Sequence, residues 1–187
     1  MNTIFWAADS TVQTNDYTTY PQTGIGQVFP LFIKEKYQVD NHAKNGRSTK
    51  SFMDEGRLKA IEDKIGEGDF LFIQFGHNDE KKNDPSRYTD PQTTYKENLK
   101  KFIQLARDHG AHPVLITSLE RRFFNEDGHV YEGQHGPYIQ AMKETAQECD
   151  VPLVDLYTMS REVLEKLGEE ASRNLYMFFQ AGIYESH

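Results

Sequence analysis

Three short runs of this chain are apolar almost without interruption: Ile4-Phe5-Trp6-Ala7-Ala8, the centre of Asp69–Phe75, and Pro113-Val114-Leu115-Ile116-Thr117. A strand with apolar side chains on both faces must be covered on both, which is the condition of a parallel sheet. The segments between these runs carry apolar residues at helical spacing. Gly26 to Tyr37 places Val28, Phe29, Phe32 and Ile33 that way, and Ser48 to Ile65 sets Phe52, Leu58, Ile61 and Ile65 on one stripe. Tyr95 to His109 reads as a helix stopped by Gly110, and Pro137 to Cys149 and Ser160 to Ala171 read as two more. Tyr37–Ala43 and Val151–Leu156 are weaker strands, and His77–Gln92 and Glu120–Gly136 are loops by composition. Strand and helix thus alternate about five times, with no repeat and no linker. The expectation is a single domain over residues 1–187: an α/β fold with a doubly wound, parallel, five-stranded sheet in a three-layer α/β/α sandwich.

Charge and composition narrow the partners. With 29 acidic against 21 basic residues the net charge is −8. That excludes duplex nucleic acid and an anionic membrane surface as the main partner, since both need basic patches. No apolar run approaches the ~18 residues that a membrane helix needs, and no signal peptide is visible, so a soluble, cytoplasmic protein is expected. The single cysteine, Cys149, permits no intrachain disulfide and reads as a quiet structural thiol. His109 and His112 straddle a helix stop with no third ligand evident, so no metal site is read there.

The residues that can carry chemistry stand directly after the strands. Asp9-Ser10 comes after the first, Asn45-Gly46-Arg47-Ser48 after the second, Gly76-His77-Asn78-Asp79 after the third, and Ser118-Leu119-Glu120-Arg121-Arg122 after the fourth. In a parallel sheet all four converge on the carboxyl edge, where ligands bind. A hydroxyl, a glycine turn and a side-chain amide in one crevice are the parts for acyl transfer: a nucleophile, and donors for an oxyanion.

In order and spacing these three blocks, Asp9-Ser10-Thr11-Val12, Asn45-Gly46-Arg47-Ser48 and Gly76-His77-Asn78-Asp79, resemble those of the SGNH (GDSL-type) hydrolases. Asp-Ser-Thr-Val-Gln-Thr, Asn-Gly-Arg-Ser and Gln-Phe-Gly-His-Asn-Asp are closer still to the rhamnogalacturonan acetylesterase branch. The resemblance implies a flavodoxin-like SGNH fold and an esterase that removes acetyl groups from a pectic oligosaccharide through an acyl-serine, with no cofactor or metal. It makes Ser10 the nucleophile and assigns the oxyanion hole to the N–H groups of Ser10 and Gly46 and the amide of Asn78. Asp9 and His77 would support the site, and Arg122, His135 and Tyr138 from the second long loop would contact an acetylated, acidic sugar.

The sequence departs from that family twice. Ala8 stands where a glycine is usual, a small change that should tighten the fit behind Ser10. The Asp-x-x-His block, whose histidine is the general base in that family, occurs nowhere in the 187 residues. The fold is therefore expected to be incomplete at its C-terminal end, with apolar surface that a second copy would cover in a homo-oligomer. His187 is the nearest substitute base. The expectations are an esterase of feeble activity or, as the alternative, a non-catalytic relative that binds acetylated sugars.

Overall fold

Five strands form one all-parallel sheet in the order β2-β1-β3-β4-β5: β1 (Asn2–Ala8), β2 (Tyr37–Asn41), β3 (Phe70–Gln74), β4 (His112–Ile116) and β5 (Leu153–Val154). The computed structural model describes residues 1–131, 133, 135–178 and 182–184. Six helices connect and flank the strands: α1 (Ile25–Val28), α2 (Thr49–Asp54), α3 (Arg57–Glu62), α4 (Thr94–Asp108), α5 (Gly136–Glu148) and α6 (Leu156–Ser172).

β1 divides its side chains strictly by parity. Phe5 and Ala7 join Leu71, Ile73 and Leu115 on one face, beneath Phe52 of α2, Leu58 and Ile61 of α3, Leu99, Phe102 and Ile103 of α4, and Met142 of α5. Ile4, Trp6 and Ala8 enter a second cluster with Val12 and Ile116, against Ile25, Phe29 and Leu156. Period-two alternation in a strand buried on both sides thus produces the three layers. Ala8 is fully buried in the second cluster, so the small residue behind Ser10 is part of the core.

The strand order fixes where a crevice can open. The chain leaves β1 for β2 on one side and returns to β3 on the other, so the switch point lies between β1 and β3. Ala8 pairs with Gln74 at their last register, which places the segments after Ala8 and after Gln74 side by side.

Several boundaries differ from the sequence reading. The expected helix from Gly26 to Tyr37 is only the four residues of α1 and a 3-10 turn, Phe29–Phe32. Pro30 lacks an N–H and restricts the residue before it, so the helix does not propagate. The Ser48–Ile65 helix is two, α2 and α3, broken at Glu55-Gly56. β5 shrinks to two residues because Asp155 caps α6, accepting from the Thr158 N–H at 3.2 Å, and starts that helix four residues before Ser160. The second long loop closes on itself through an antiparallel bridge between Phe124 and Val130.

Candidate active site

Beyond β1 the chain turns at once. The Asp9 carboxylate accepts from the Thr11 N–H at 3.0 Å and from the Thr11 hydroxyl at 2.8 Å, and its carbonyl accepts from the Val12 N–H at 3.2 Å. This is the local closure that Asp favours in a turn. It accounts for a carboxylate beside the serine: Asp9, 1% exposed, is spent on shaping the loop. The Thr11 hydroxyl also accepts from the Gln74 amide at 2.9 Å, which ties the turn to the end of β3. Ser10 is left at the tip. Among the described residues neither its hydroxyl nor its N–H makes a hydrogen bond within the chain.

Gly46 sits in the turn after β2 with φ +78°, a conformation that disfavours any side chain. Its N–H likewise has no partner among the described residues, whereas the neighbouring Lys44 N–H is bonded to Ala8 O at 3.0 Å and the Asn45 N–H to the Gln13 side chain. Asn78 is nearly buried. One hydrogen of its amide goes to Arg47 O at 3.1 Å, and an amide NH₂ has two to give. Ser10, Gly46 and Asn78 line one open cleft of about 390 Å³. The crevice therefore holds a free hydroxyl, two free backbone N–H groups and one spare amide N–H.

Asp79, fully buried, holds the second and third blocks together. It accepts from the Thr49 N–H at 3.1 Å, the Thr49 hydroxyl at 2.5 Å and the Thr89 hydroxyl at 2.8 Å. Burial pushes its carboxyl up to about 7, against the hydrogen bonds from Thr49 and Thr89 that favour the charged form. Gly76 is equally constrained. At φ +149°, a Cβ there would lie 2.6 Å from the Ser118 hydroxyl, which donates to Phe75 O.

His77 lines the cleft without being bonded to Ser10. Its Nε2 lies 2.9 Å from Leu119 O, so that nitrogen carries the proton, and Nδ1 faces the Asp9 carboxylate at 3.7 Å. Burial drives its pKa down to about 4; Asp9 pulls the other way, and His135 and Arg121 add to the fall. The ring is neutral at pH 7 and stacks on His135, centroids 4.3 Å apart. His135, 3% exposed, donates from Nδ1 to Glu80 at 2.7 Å, and Glu80 binds Arg121 at 2.6 Å.

The other loop residues singled out from the sequence take different places. Arg122 edges the cleft, but its guanidinium is committed to the Ser172 hydroxyl at 2.9 Å, Glu169 O and the Phe178 ring. Tyr138 lies outside the cleft lining: it is 4% exposed, with its hydroxyl on Thr89 O at 2.6 Å and Asp79 O at 3.1 Å. His187 lies outside the described residues. Sequence reasoning missed Lys81 and Arg87, which also line the cleft. The signal was available after the block: three cations, Lys81, Lys82 and Arg87, within nine positions of Asn78 in an acidic chain.

Residues 9–179 match the model of the GDSL-like lipase/acylhydrolase family. The chain belongs to that family. It is by family a serine ester hydrolase, in agreement with the hydroxyl and donor set at the switch point. Two Bacillus subtilis proteins are similar over 95% of the chain. Rhamnogalacturonan acetylesterase RhgT is 46% identical over 177 residues, with 74% of its own length covered. Probable rhamnogalacturonan acetylesterase YesY is 48% identical over 178 residues, with 79% covered. Among solved structures, Bacillus subtilis protein YxiM superposes with a TM-score of 0.81 at 28% identity, over 94% of this chain and 49% of that one. An acetylxylan esterase from Geobacillus stearothermophilus, 16% identical, shares the fold at a TM-score of 0.68 over 91% of this chain and 83% of its own. As a GDSL-like hydrolase the chain keeps all three blocks on the strand ends where the fold opens.

Proposed function

We propose that this chain is a carbohydrate acetylesterase acting on an acetylated rhamnogalacturonan-type oligosaccharide through an acetyl-Ser10 intermediate. The observation that carries the proposal is the Ser10 hydroxyl, unpaired among the described residues, sharing one cleft with the likewise unpaired N–H groups of Ser10 and Gly46 and the half-used amide of Asn78. Similarity to two rhamnogalacturonan acetylesterases supports the substrate class. Local charge adds one cation to the argument: Arg87 and Arg121 are paired with Asp84 and Glu80, whereas Lys81 lines the cleft without an ion pair among the described residues and can attract a carboxylate-bearing sugar.

In the forward step the Ser10 Oγ adds to the acetyl carbonyl carbon as its proton leaves. The oxygen that gains the charge would be held by the N–H groups of Ser10 and Gly46 and the spare N–H of Asn78. Collapse breaks the bond to the sugar oxygen, which leaves as a hydroxyl and carries a proton away. Water then adds to acetyl-Ser10, and acetate departs. The proton from Ser10 needs a base. Among the described residues no imidazole is bonded to Ser10, and His77 has Nε2 on Leu119 O and Nδ1 toward Asp9. The described residues alone therefore account for feeble turnover, because an unactivated serine is a poor nucleophile at neutral pH. Robust hydrolysis of an acetyl ester that vanishes in Ser10→Ala would overturn that account.

The same missing contact favours the second reading, a protein that binds acetylated sugars without cleaving them. A serine-directed fluorophosphonate separates the two. Labelling of Ser10 above that of a denatured control supports the esterase; none supports the binding protein. The expected sugar contacts from the loop after β4 are not proposed for this cleft: the Arg122 guanidinium is bonded to Ser172 and Glu169, and buried His135, bonded to Glu80, is not among the cleft's lining residues.

A further inference from the structure

Arg87 stands beside two of the three residues that would supply the donors, Asn78 and Gly46. Its Nη1 donates to the Asn78 Oδ1 at 3.5 Å, and a Cβ built on Gly46 would lie 3.5 Å from the same nitrogen. The other face of the guanidinium is fixed: Nε and Nη2 both bind the Asp84 carboxylate at 2.6 Å. The loop from Asp79 to Thr89 folds back to make this happen. The Thr89 N–H donates to Asp79 O at 3.1 Å and its hydroxyl to the Asp79 carboxylate, so residue 87 returns over residue 78.

We propose that Arg87 is a positioning residue that fixes the orientation of the Asn78 amide. A side-chain amide has two faces of opposite polarity, and flipping it exchanges them. Here Arg47 O demands the NH₂ on one side and the Arg87 guanidinium demands the carbonyl oxygen on the other. Both partners select the same orientation, and in it the second N–H of Asn78 is left for the substrate oxygen. A flipped amide would set its oxygen against Arg47 O and its NH₂ against a cation. The Asp84 fork keeps Nη1 aimed, so Asp84 acts through Arg87 and Arg87 through Asn78. The inference rests on the reading of Asn78 as an oxyanion donor, and its test is chosen to separate the two.

Two measurements on the full chain test it. The first is the rate of Ser10 phosphonylation by a fluorophosphonate, with imidazole added as external base, in wild type, Arg87→Met and Arg87→Lys. Loss of one hydrogen bond that holds a donor corresponds to about a tenfold fall. Arg87→Met should show it, and Arg87→Lys, which keeps a donor but not the fork, should recover part of it. The second is the NMR signal of the Asn78 side-chain NH₂, assigned by its loss in Asn78→Ala. Arg87→Met should shift it and speed its exchange with solvent, while the thermal midpoint of the variant stays within a few degrees of wild type. An unchanged Asn78 signal overturns the proposal, whatever the labelling shows. A changed signal in a protein whose Ser10 never labels keeps the positioning role and overturns the esterase reading. Equal, measurable labelling rates in wild type and Arg87→Met likewise overturn the proposal.

Discussion

Asp79 makes the stability of this protein depend on pH in a direction that can be worked out beforehand. Its carboxyl is held up to about 7 in the fold, against the ordinary value of 3.8. Below about pH 4 the folded and unfolded chains are both protonated there. From pH 4 to 7 the unfolded chain ionises while the folded one keeps its proton, so stability is lost as pH rises. A tenfold difference in proton affinity is worth about 1.4 kcal/mol, so the group removes roughly 3 kcal/mol between pH 5 and pH 8. His77 acts in the opposite sense. Its pKa falls from 6.5 to about 4, so the unfolded chain binds the extra proton and stability rises with pH between those values. The two slopes oppose each other below pH 6.5, and wild type alone cannot show either. Asp79→Asn separates them, because it keeps an oxygen for the Thr49 and Thr89 donors but cannot titrate. The assay is urea unfolding followed by the fluorescence of the single tryptophan, Trp6, buried in β1. Relative to wild type, Asp79→Asn should gain about 3 kcal/mol on going from pH 5 to pH 8. A difference that stays constant within about 1 kcal/mol, or that falls, would mean the carboxylate is charged in the fold at both values and the reasoning is wrong.

Asn78→Ala should lower any Ser10-dependent turnover by roughly two to three orders of magnitude with little change in KM, read from acetate release under steady state. Gly76→Ala should destabilise by about 2 kcal/mol in urea titration, since its Cβ would meet the Ser118 hydroxyl at 2.6 Å and the backbone sits at positive φ. Phe52→Ala should cost about 3–5 kcal/mol, because the ring is fully buried against Phe75 and Phe102 and leaves a cavity under α4. Asp79→Ala should be far less stable than Asp79→Asn at pH 5, as it leaves Thr49 and Thr89 donors buried without an acceptor.

What the sequence disclosed came from burial. β1, β3 and β4 are covered on both faces, so their runs are apolar throughout and could be read directly. The three blocks were legible for the same reason: each begins where such a run stops. Elements whose ends depend on one residue were not. Pro30 stopped a helix whose apolar spacing continued past it, and Asp155 began one before the end of an expected strand. In the crevice, Ser10, Gly46 and Asn78 lie next to strand ends and were found. Arg87 reaches the same crevice from a loop that returns through Thr89 and Asp79, a closure no periodicity announces. Arg122 and Tyr138 show the converse. Arg122 stands in the loop after β4 and Tyr138 in the first turn of α5, and both carry bonds to their own scaffold that spacing cannot reveal.

The central proposal is that Ser10 is a nucleophile supplied with oxyanion donors and, among the described residues, with no bonded base. It is tested most directly by acetate release from acetylated rhamnogalacturonan, with and without added imidazole, in wild type and Ser10→Ala. Wild type alone should release acetate feebly, release should increase when imidazole supplies the base, and Ser10→Ala should show no increase above the uncatalysed rate. Release by Ser10→Ala that matches wild type, or wild-type release that is already robust and does not increase with imidazole, would contradict it.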